Sequence, residues 1–145
     1  MDIRPLTDTY AVTPQIVAED IPAIAAAGFT TVICNRPDRE IPEDLHAETL
    51  RAQVEAAGLS FVVNPVTGGA LTMENVEAQR AAIDAAAAAG GKILAYCASG
   101  NRSSIVWALA LAGRKPTDDL IAAGAQYGYQ TAQFRELIDR LAQQG

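Results

Sequence analysis

The sequence predicts an α/β protein with a short, mainly parallel sheet flanked by helices. Two observations indicate this class. Short runs of apolar and β-branched residues alternate with longer segments whose apolar residues recur at helical spacing. Several of the helical segments are followed by glycine, the residue most common just beyond a helix end. Strands separated by helices pair in parallel through right-handed crossovers, which leaves both faces of the sheet covered.

Each predicted strand is an apolar run bounded by turn residues. The clearest is residues 30–34, where two threonines precede valine, isoleucine and Cys34. This composition is typical of a strand that is buried on both faces. The predicted strands cover residues 10–13, 30–34, 59–64 and 92–96.

The predicted helices are recognised by their apolar spacing and by the residues at their ends. Thr72 and Thr117 are candidate N-caps, whose hydroxyl oxygens would accept a hydrogen bond from the first turn. Trp107 falls in an apolar helix and is expected in the core. The predicted helices cover residues 17–27, 43–57, 75–89, 103–111, 117–123 and 133–143.

Composition narrows the possible partners and location. The chain has 145 residues, half of them hydrophobic, which fits one domain over residues 1–145 with one core. A formal net charge of −6 argues against nucleic acid and an anionic membrane surface as partners. No apolar run is long enough to span a bilayer, and the first residues do not resemble a signal peptide. Two cysteines do not form a disulfide framework, so we expect a cytoplasmic protein; its oligomeric state is left open.

The most informative segment is residues 92–103. A short apolar strand leads into a tight turn with Cys97, and Arg102 then opens a new apolar run. The N–H groups of such a loop and of the following helical turn form a nest for an anion, and the same field stabilises a thiolate nucleophile. Arg102 adds a planar fork of donors that matches a tetrahedral oxyanion. The predicted anion-binding residues are Ala98, Ser99, Gly100, Asn101, Arg102 and, from the 35–40 loop, Arg36.

Other polar residues near the predicted loops have more than one possible role. The Ser103 hydroxyl is expected to cap the helix or to form a hydrogen bond with the Cys97 sulfur. Arg36 is expected either to pair with Asp38 or to lie at the rim of the site. A single histidine, His46, and two cysteines give no spacing suited to a metal, so no metal or other cofactor is predicted. His46 is assigned a structural role.

The order of elements around the cysteine loop resembles the dual-specificity branch of the protein tyrosine phosphatase fold. More closely, the chain resembles a bacterial family described as the phosphatase-like domain of β-lactamase hydrolase-like proteins, which is also described as a sulfur transferase family. The resemblance covers nearly the whole chain. It is carried by residues 12–15 (VTPQ), 32–38 (VICNRPD), 65–67 (PVT), 96–103 (YCASGNRS) and 107–109 (WAL). It implies a phosphatase-like α/β architecture and a covalent intermediate on Cys97, with Arg102 binding the anion and Ser103 assisting the thiolate as a leaving group.

The sequence departs from the phosphatase pattern in its loop length and its acid. Phosphatases of this fold have five residues between cysteine and arginine, whereas this chain has four, as many rhodaneses do. The upstream rhodanese pattern is absent. The resemblance places a general acid Asp in the loop after the preceding strand, but residues 64–74 contain no Asp. Asp38 or Glu40 could replace it, and for both the alternative is a solvated loop charge.

The resemblance also raises a question about Cys34. In phosphatases of this fold the two strands that end at Cys34 and Cys97 are neighbours. If the two Cα atoms lie within about 7 Å, Cys34 could act as a resolving thiol for Cys97. The alternative is that Cys34 is simply a buried strand residue.

Three functional hypotheses remain from the sequence. The first is a cysteine-dependent hydrolase of a small or aryl phosphate ester. The second is a sulfurtransferase that carries a persulfide on Cys97 and takes sulfur from a sulfane-sulfur donor. The third is a module that binds an anion or a partner without turnover. The missing Asp favours the second and third, and the resemblance favours the first.

Overall fold

A computed structural model describes residues 1–144 and contains one five-stranded sheet. Its strands are β1 (Arg4–Pro5), β2 (Tyr10–Thr13), β3 (Thr31–Cys34), β4 (Ser60–Val63) and β5 (Ile93–Tyr96). They are arranged in the order β1-β2-β5-β3-β4, and every pair is parallel except β1 with β2. The predicted class, a mainly parallel sheet, is confirmed.

Six α-helices follow the strands or one another. They are α1 (Ile21–Ala26), α2 (Ala47–Ala56), α3 (Met73–Ala88), α4 (Asn101–Ala110), α5 (Thr117–Ala125) and α6 (Arg135–Gln144). Short 3-10 turns precede α1, α2 and α6. Among the helices of residues 1–144, none combines the length and the apolar character that crossing a bilayer requires.

The sheet has a separate hydrophobic core on each face. On one face, strand residues such as Val32 and Leu94 pack with Leu50 and Val54 of α2 and with residues of α1. On the other face, alternate strand residues pack against α3 to α6. Trp107 of α4 is 2% exposed and stacks on Tyr10 with ring centroids 5.9 Å apart, which confirms its predicted place in the core.

The structure corrects several predicted element ends. The sequence pattern missed β1, because it is two residues long and is defined by its pairing with Ala11 and Val12. The helix predicted over residues 43–57 is interrupted at His46, whose extended backbone separates a 3-10 turn from α2. Thr72 caps α3 as predicted, since its hydroxyl oxygen accepts from the Asn75 N–H at 3.1 Å. Thr117 is not an N-cap: it lies inside α5, and its hydroxyl donates to Asp139 at 2.6 Å.

Candidate active site

Cys97 follows directly after β5, in a tight loop that leads into α4. Gly100 has a φ of +95°, in the left-handed region that glycine enters without steric cost, and α4 begins at the next residue, Asn101. The Gly100 N–H donates to the Cys97 sulfur at 3.1 Å. The prediction placed the helix start two residues later, at Ser103; the earlier start turns the N-terminus of α4 toward the loop.

Two carbonyl groups of the loop are held by residues outside it. The Gln15 N–H donates to the Ala98 carbonyl at 3.4 Å, and the Tyr129 hydroxyl donates to the Ser99 carbonyl at 2.9 Å. The Ser99 hydroxyl oxygen in turn accepts from the Asn101 N–H at 3.2 Å. These bonds give the loop a defined backbone conformation.

Arg102 extends from the first turn of α4 and uses one side of its guanidinium for protein contacts. Its Nη1 donates to Glu40 Oε2 at 2.8 Å and to the Val66 carbonyl at 2.7 Å, and its Nη2 donates to Glu40 Oε1 at 2.7 Å. An arginine carries five N–H donors, of which these bonds use three. The Nε–H and the second Nη2–H share the other edge, and within residues 1–144 they meet no acceptor oxygen. That edge is a fork available to an anion.

Glu40 lies between two guanidinium groups. Besides Arg102, its Oε1 accepts from Arg36 Nε at 3.2 Å. The hydrogen bond from Arg102 is the main cause that holds the pKa of Glu40 below its usual range, and Arg36 adds to it. The same bond raises the pKa of Arg102, with the nearby Cys97 as a further cause. Glu40 is therefore an ionised carboxylate. It bonds to the Nη1–Nη2 edge of Arg102 and leaves the edge with Nε–H and the second Nη2–H available.

Arg36 does not pair with Asp38, and its predicted place at the rim of an anion site stays a prediction. Its partners are Glu40 and Gln15, whose Oε1 accepts from Arg36 Nη1 at 3.2 Å. Asp38 is directed elsewhere: its Oδ1 accepts from the Ala47 N–H at 2.8 Å, at the N-terminus of α2. Of the two carboxylates that could replace the missing acid, Glu40 is the one that contacts Arg102. A catalytic role for Asp38 stays a prediction.

Ser103 is fully buried in α4, and its hydroxyl has no hydrogen-bond partner in the described residues. In this structure it therefore makes neither of the two predicted contacts, the helix cap and the bond to the Cys97 sulfur. The helix starts at Asn101, two residues earlier than predicted, which puts Ser103 within the first turn instead of at the cap position.

Cys34 is a buried thiol in the apolar layer that faces α1 and α2. As expected, β3 and β5 are neighbours, but their register pairs Cys34 with Tyr96 and not with Cys97. The Cys34 sulfur donates to the Arg36 carbonyl at 3.4 Å, and burial raises the pKa of this thiol. Both cysteines are free. The geometry agrees with the reading of Cys34 as a buried strand residue, and its resolving role stays a prediction.

A buried network of amide side chains contacts the first turn of α4. The sequence pattern did not predict it. Asn35 Nδ2 and Asn64 Nδ2 donate to Gln79 Oε1 at 3.0 and 2.8 Å. Gln79 Nε2 donates to the Tyr10 hydroxyl at 2.8 Å, and this hydroxyl donates to the Ser103 carbonyl at 3.2 Å. The network joins the ends of β3 and β4 to the first turn of α4. One signal was present in the sequence, since Gln79 follows Val76 at helical spacing on the buried face of α3.

A cavity of about 260 Å³ opens beside Arg102. Its walls come from the loop after β4, the first turns of α4 and the segment before α6. They are mainly apolar, with Thr67, neutral amides and Arg102 as the polar residues. The lining includes Val66, Leu71, Asn101, Arg102, Ile105 and Phe134. Within residues 1–144, no group of three or more His, Cys, Asp or Glu side chains is arranged to hold a metal ion.

The sequence has relatives among curated bacterial proteins. The β-lactamase hydrolase-like protein of Xylella fastidiosa strain 9a5c is 28% identical over 144 residues, which cover 98% of this chain and 33% of that protein. The protein of the same description from Agrobacterium fabrum is 27% identical over 137 residues, covering 93% of this chain and 31% of that one. The chain thus spans about a third of the length of the curated relatives it matches.

Solved structures share the fold. A candidate phosphatase from Neisseria meningitidis is 32% identical, with a TM-score of 0.76 over 97% of this chain and 99% of that one. Tk-PTP in its active form has a TM-score of 0.78 at 18% identity, covering 99% and 97% of the two chains. PTPMT1, solved with PI(5)P, has a TM-score of 0.80 at 13% identity, covering 98% and 97%. The last two show the fold alone, which is that of the protein tyrosine and dual-specificity phosphatases.

The sequence also matches a family model over most of its length. Residues 2–114 match the model described as the phosphatase-like domain of β-lactamase hydrolase-like protein. This stretch includes every strand of the sheet, the Cys97 loop, Arg102 and Glu40. The chain belongs to the family of phosphatase-like domains of β-lactamase hydrolase-like proteins, as its resemblance predicted.

Proposed function

We propose that this protein is a cysteine-dependent phosphatase-like hydrolase that cleaves a small or aryl phosphate ester through a covalent intermediate on Cys97. The observation that carries the proposal is the Gly100 N–H at 3.1 Å from the Cys97 sulfur, next to an arginine whose second donor edge is available. A nucleophile and donors for a tetrahedral oxyanion then act within one loop. Its partner is a small anionic substrate, and two free cysteines suit a reducing cytoplasm.

The chemistry divides into two displacements at phosphorus. In the first, the Cys97 thiolate attacks phosphorus, the bond to the ester oxygen breaks, and the alcohol or phenol leaves as its anion. In the second, water attacks the phosphocysteine, the S–P bond breaks, and inorganic phosphate and the thiolate are released. Arg102 and the loop N–H groups that are not bonded to the Cys97 sulfur or the Ser99 hydroxyl are proposed to stabilise the charge on the phosphoryl oxygens in both steps. Ser103 is proposed to stabilise the departing thiolate.

The positions of Glu40 and Asp38 bear on which leaving groups the proposed reaction can release. A general acid must carry a proton at the working pH. Glu40 is kept ionised by Arg102 and Arg36, and Asp38 accepts a hydrogen bond at the start of α2. A leaving group that departs without protonation suits this arrangement best. Aryl esters meet that condition, because a phenolate is a far weaker base than an alkoxide.

The cavity beside Arg102 fits a compact leaving group. Its volume of about 260 Å³ suits one aromatic ring with a small substituent. Arg102 is the one charged side chain among the residues that line it. A neutral, apolar group next to the phosphate is therefore favoured over a second anionic group, which the net charge of −6 would also repel.

Sulfur transfer is the second candidate, and two observations favour it. The chain has four residues between Cys97 and Arg102, and the carboxylate nearest to Arg102 is ion-paired. Sulfur transfer needs no acid. The Cys97 thiolate would attack the outer sulfur of thiosulfate, releasing sulfite, and an acceptor such as cyanide would then remove the sulfur from the persulfide and regenerate the thiolate.

One experiment separates these functions. The purified protein is assayed in parallel with 4-nitrophenyl phosphate and with thiosulfate plus cyanide, using Cys97→Ser to test for the nucleophile and Cys34→Ser as the matched control. We expect ester hydrolysis that depends on Cys97 and not on Cys34. Thiocyanate formation without ester hydrolysis would establish the sulfurtransferase instead. If neither reaction occurs while inorganic phosphate still binds, the protein is an anion-binding module.

A further inference from the structure

Tyr129 is distant in sequence from the cysteine loop but contacts its backbone. The residue lies between α5 and α6 and is 9% exposed. Its hydroxyl donates to the Ser99 carbonyl at 2.9 Å and accepts from Arg4 Nη1 at 2.8 Å. Arg4 is itself paired with Asp2 at 2.6 Å. A continuous chain of charged and polar contacts thus runs from the N-terminal segment to the loop.

The Ser99–Gly100 peptide is the group that Tyr129 holds. In a planar trans peptide, the C=O of one residue and the N–H of the next point in opposite directions. Because the Ser99 carbonyl faces Tyr129, the Gly100 N–H faces away from it and meets the Cys97 sulfur at 3.1 Å. A rotated peptide would turn a carbonyl dipole toward the sulfur and would lose both hydrogen bonds.

Packing around Gly100 reinforces this orientation. A Cβ atom at Gly100 would collide with the Tyr129 hydroxyl, so the tyrosine occupies the space next to the left-handed residue. The residue after Tyr129 makes a second contact with the residue after Gly100. The Gln130 N–H donates to Asn101 Oδ1 at 3.0 Å. The 129–130 segment therefore contacts the loop at two successive positions.

We propose that Tyr129, held by Arg4, is a positioning residue that fixes the Ser99–Gly100 peptide with its N–H toward Cys97. The inference rests on the proposed function in one respect, namely that this loop is the anion-binding site. Donation from a cationic Arg4 strengthens the bond that the tyrosine hydroxyl then donates to Ser99. Burial is the main cause that raises the pKa of Tyr129, so its hydroxyl keeps the proton that it donates.

The chain offers a matched control in Tyr127. This tyrosine lies in the same segment, and its hydroxyl donates to the Pro5 carbonyl at 2.7 Å. Tyr127→Phe and Tyr129→Phe each remove one hydroxyl that bonds to a backbone carbonyl, and only the second carbonyl belongs to the cysteine loop. Loss of a hydrogen bond should lower the thermal midpoint of both variants by a similar amount.

The test measures the amide proton resonance of Gly100 by NMR and the affinity for inorganic phosphate. In Tyr129→Phe we expect the Gly100 resonance to shift and phosphate binding to weaken by about tenfold. In Tyr127→Phe we expect both to stay near wild type. Arg4→Met should act in the same direction as Tyr129→Phe with a smaller effect, and Arg4→Lys should recover part of it.

Each outcome decides the proposal. Equal changes in the Gly100 resonance and in phosphate affinity in the two phenylalanine variants would overturn it. An unchanged Gly100 resonance in Tyr129→Phe would overturn it as well. If the wild-type protein neither binds phosphate nor hydrolyses an ester, the proposed function fails. In that case a Gly100 shift seen only in Tyr129→Phe still supports the positioning role, so failure of the one is distinguishable from failure of the other.

Discussion

The ends of β3 and β5 lie side by side in the sheet, and each carries a buried cysteine, yet the two sulfurs have opposite hydrogen-bonding roles. The Cys97 sulfur accepts an N–H from Gly100, whereas the Cys34 sulfur donates to the Arg36 carbonyl. Acceptance suits an anionic sulfur, and donation requires the protonated thiol. Both sulfurs are buried at neighbouring strand ends, Cys34 as the last residue of β3 and Cys97 as the residue after β5, so burial at a strand end does not by itself set the hydrogen-bonding role of a cysteine.

The difference arises from the residues that follow each strand. After β5, a left-handed Gly100 lets the chain turn at once into α4, and the Gly100 N–H points to the Cys97 sulfur at the strand end. After β3, the chain runs through Pro37 into a 3-10 turn at Asp38–Glu40. This loop directs side chains toward the site, including Glu40 and Arg36, instead of backbone donors. In the proposed mechanism the end of β5 supplies the reacting group, and the loop after β3 supplies Glu40, which forms the ion pair with Arg102.

The largest expected effect comes from exchanging the two cysteines for serine. Cys97→Ser should lower kcat/KM for 4-nitrophenyl phosphate by more than about a thousandfold, because the nucleophile is lost. Cys34→Ser should change it by less than about threefold, since that sulfur donates only to a backbone carbonyl. Steady-state rates of the two variants, with circular dichroism to check folding, measure the contrast. Comparable losses in both would mean that the two strand ends act together.

A second change tests whether Arg102 acts through its shape or its charge. Arg102→Lys and Arg102→Ala should both lower kcat/KM by about a hundredfold, because lysine keeps the charge but cannot form a planar fork with an anion while also bonding Glu40. Arg114→Lys is the control, since Arg114 forms an ion pair with Asp84 away from the loop. Retained activity in the Arg102→Lys protein would show that the geometry of the guanidinium is unimportant.

The amide network that joins the ends of β3 and β4 to α4 should matter for stability. Gln79→Leu removes the partner of Asn35, Asn64 and the Tyr10 hydroxyl, all of which are buried. Each of these groups keeps one other hydrogen bond, but loss of the bonds to Gln79 should lower the free energy of unfolding by about 3 kcal/mol. Urea denaturation measures the loss. Glu77→Leu, an exposed substitution on the same helix, is the control and should lower the free energy of unfolding by less than about 0.5 kcal/mol.

The state of Cys34 can be read by alkylation in the Cys97→Ser protein, where it is the remaining thiol. Because burial raises the pKa of Cys34, its thiolate forms only above the value of about 8.5 that is usual for cysteine. We expect iodoacetamide to label it at least about tenfold more slowly in the folded protein than in urea at pH 8. Mass spectrometry of the labelled peptide gives both rates. Equal rates would show that the end of β3 is open to reagents.

The smallest effect concerns the ion pairs of Glu40. Its pKa is lowered in the folded protein, chiefly by Arg102, so the stabilisation is present above the unfolded value of about 4.3 and is lost as the pH falls through the folded value. We expect Glu40→Gln to lower the thermal midpoint by about 2 °C at pH 7, and the difference from wild type to shrink as the pH falls below about 4.3. Glu43→Gln is the control. A difference that does not shrink as the pH falls would show that charge is not its cause.

The sequence by itself determined the alternation of strands and helices, because apolar spacing follows from the burial of successive residues. It also located the candidate site at the Cys97 loop and Arg102, since these residues are contiguous and one short segment carries the proposed nucleophile, the turn and the proposed anion-binding arginine. The two-residue strand β1 and the true start of α4 escaped it. Both depend on backbone pairing and on the φ of Gly100, neither of which leaves a periodic pattern.

The tertiary structure alone decided which distant residues complete the site. Glu40 and Val66 reach Arg102 from two other loops, and Arg4 and Tyr129 come together from near the two ends of the chain. From the sequence, Glu40 and Asp38 are only alternative candidates for an acid, and Tyr129 has no spacing that distinguishes it. Their roles arise because parallel strands bring their carboxyl ends to one edge of the sheet, where residues far apart in sequence meet.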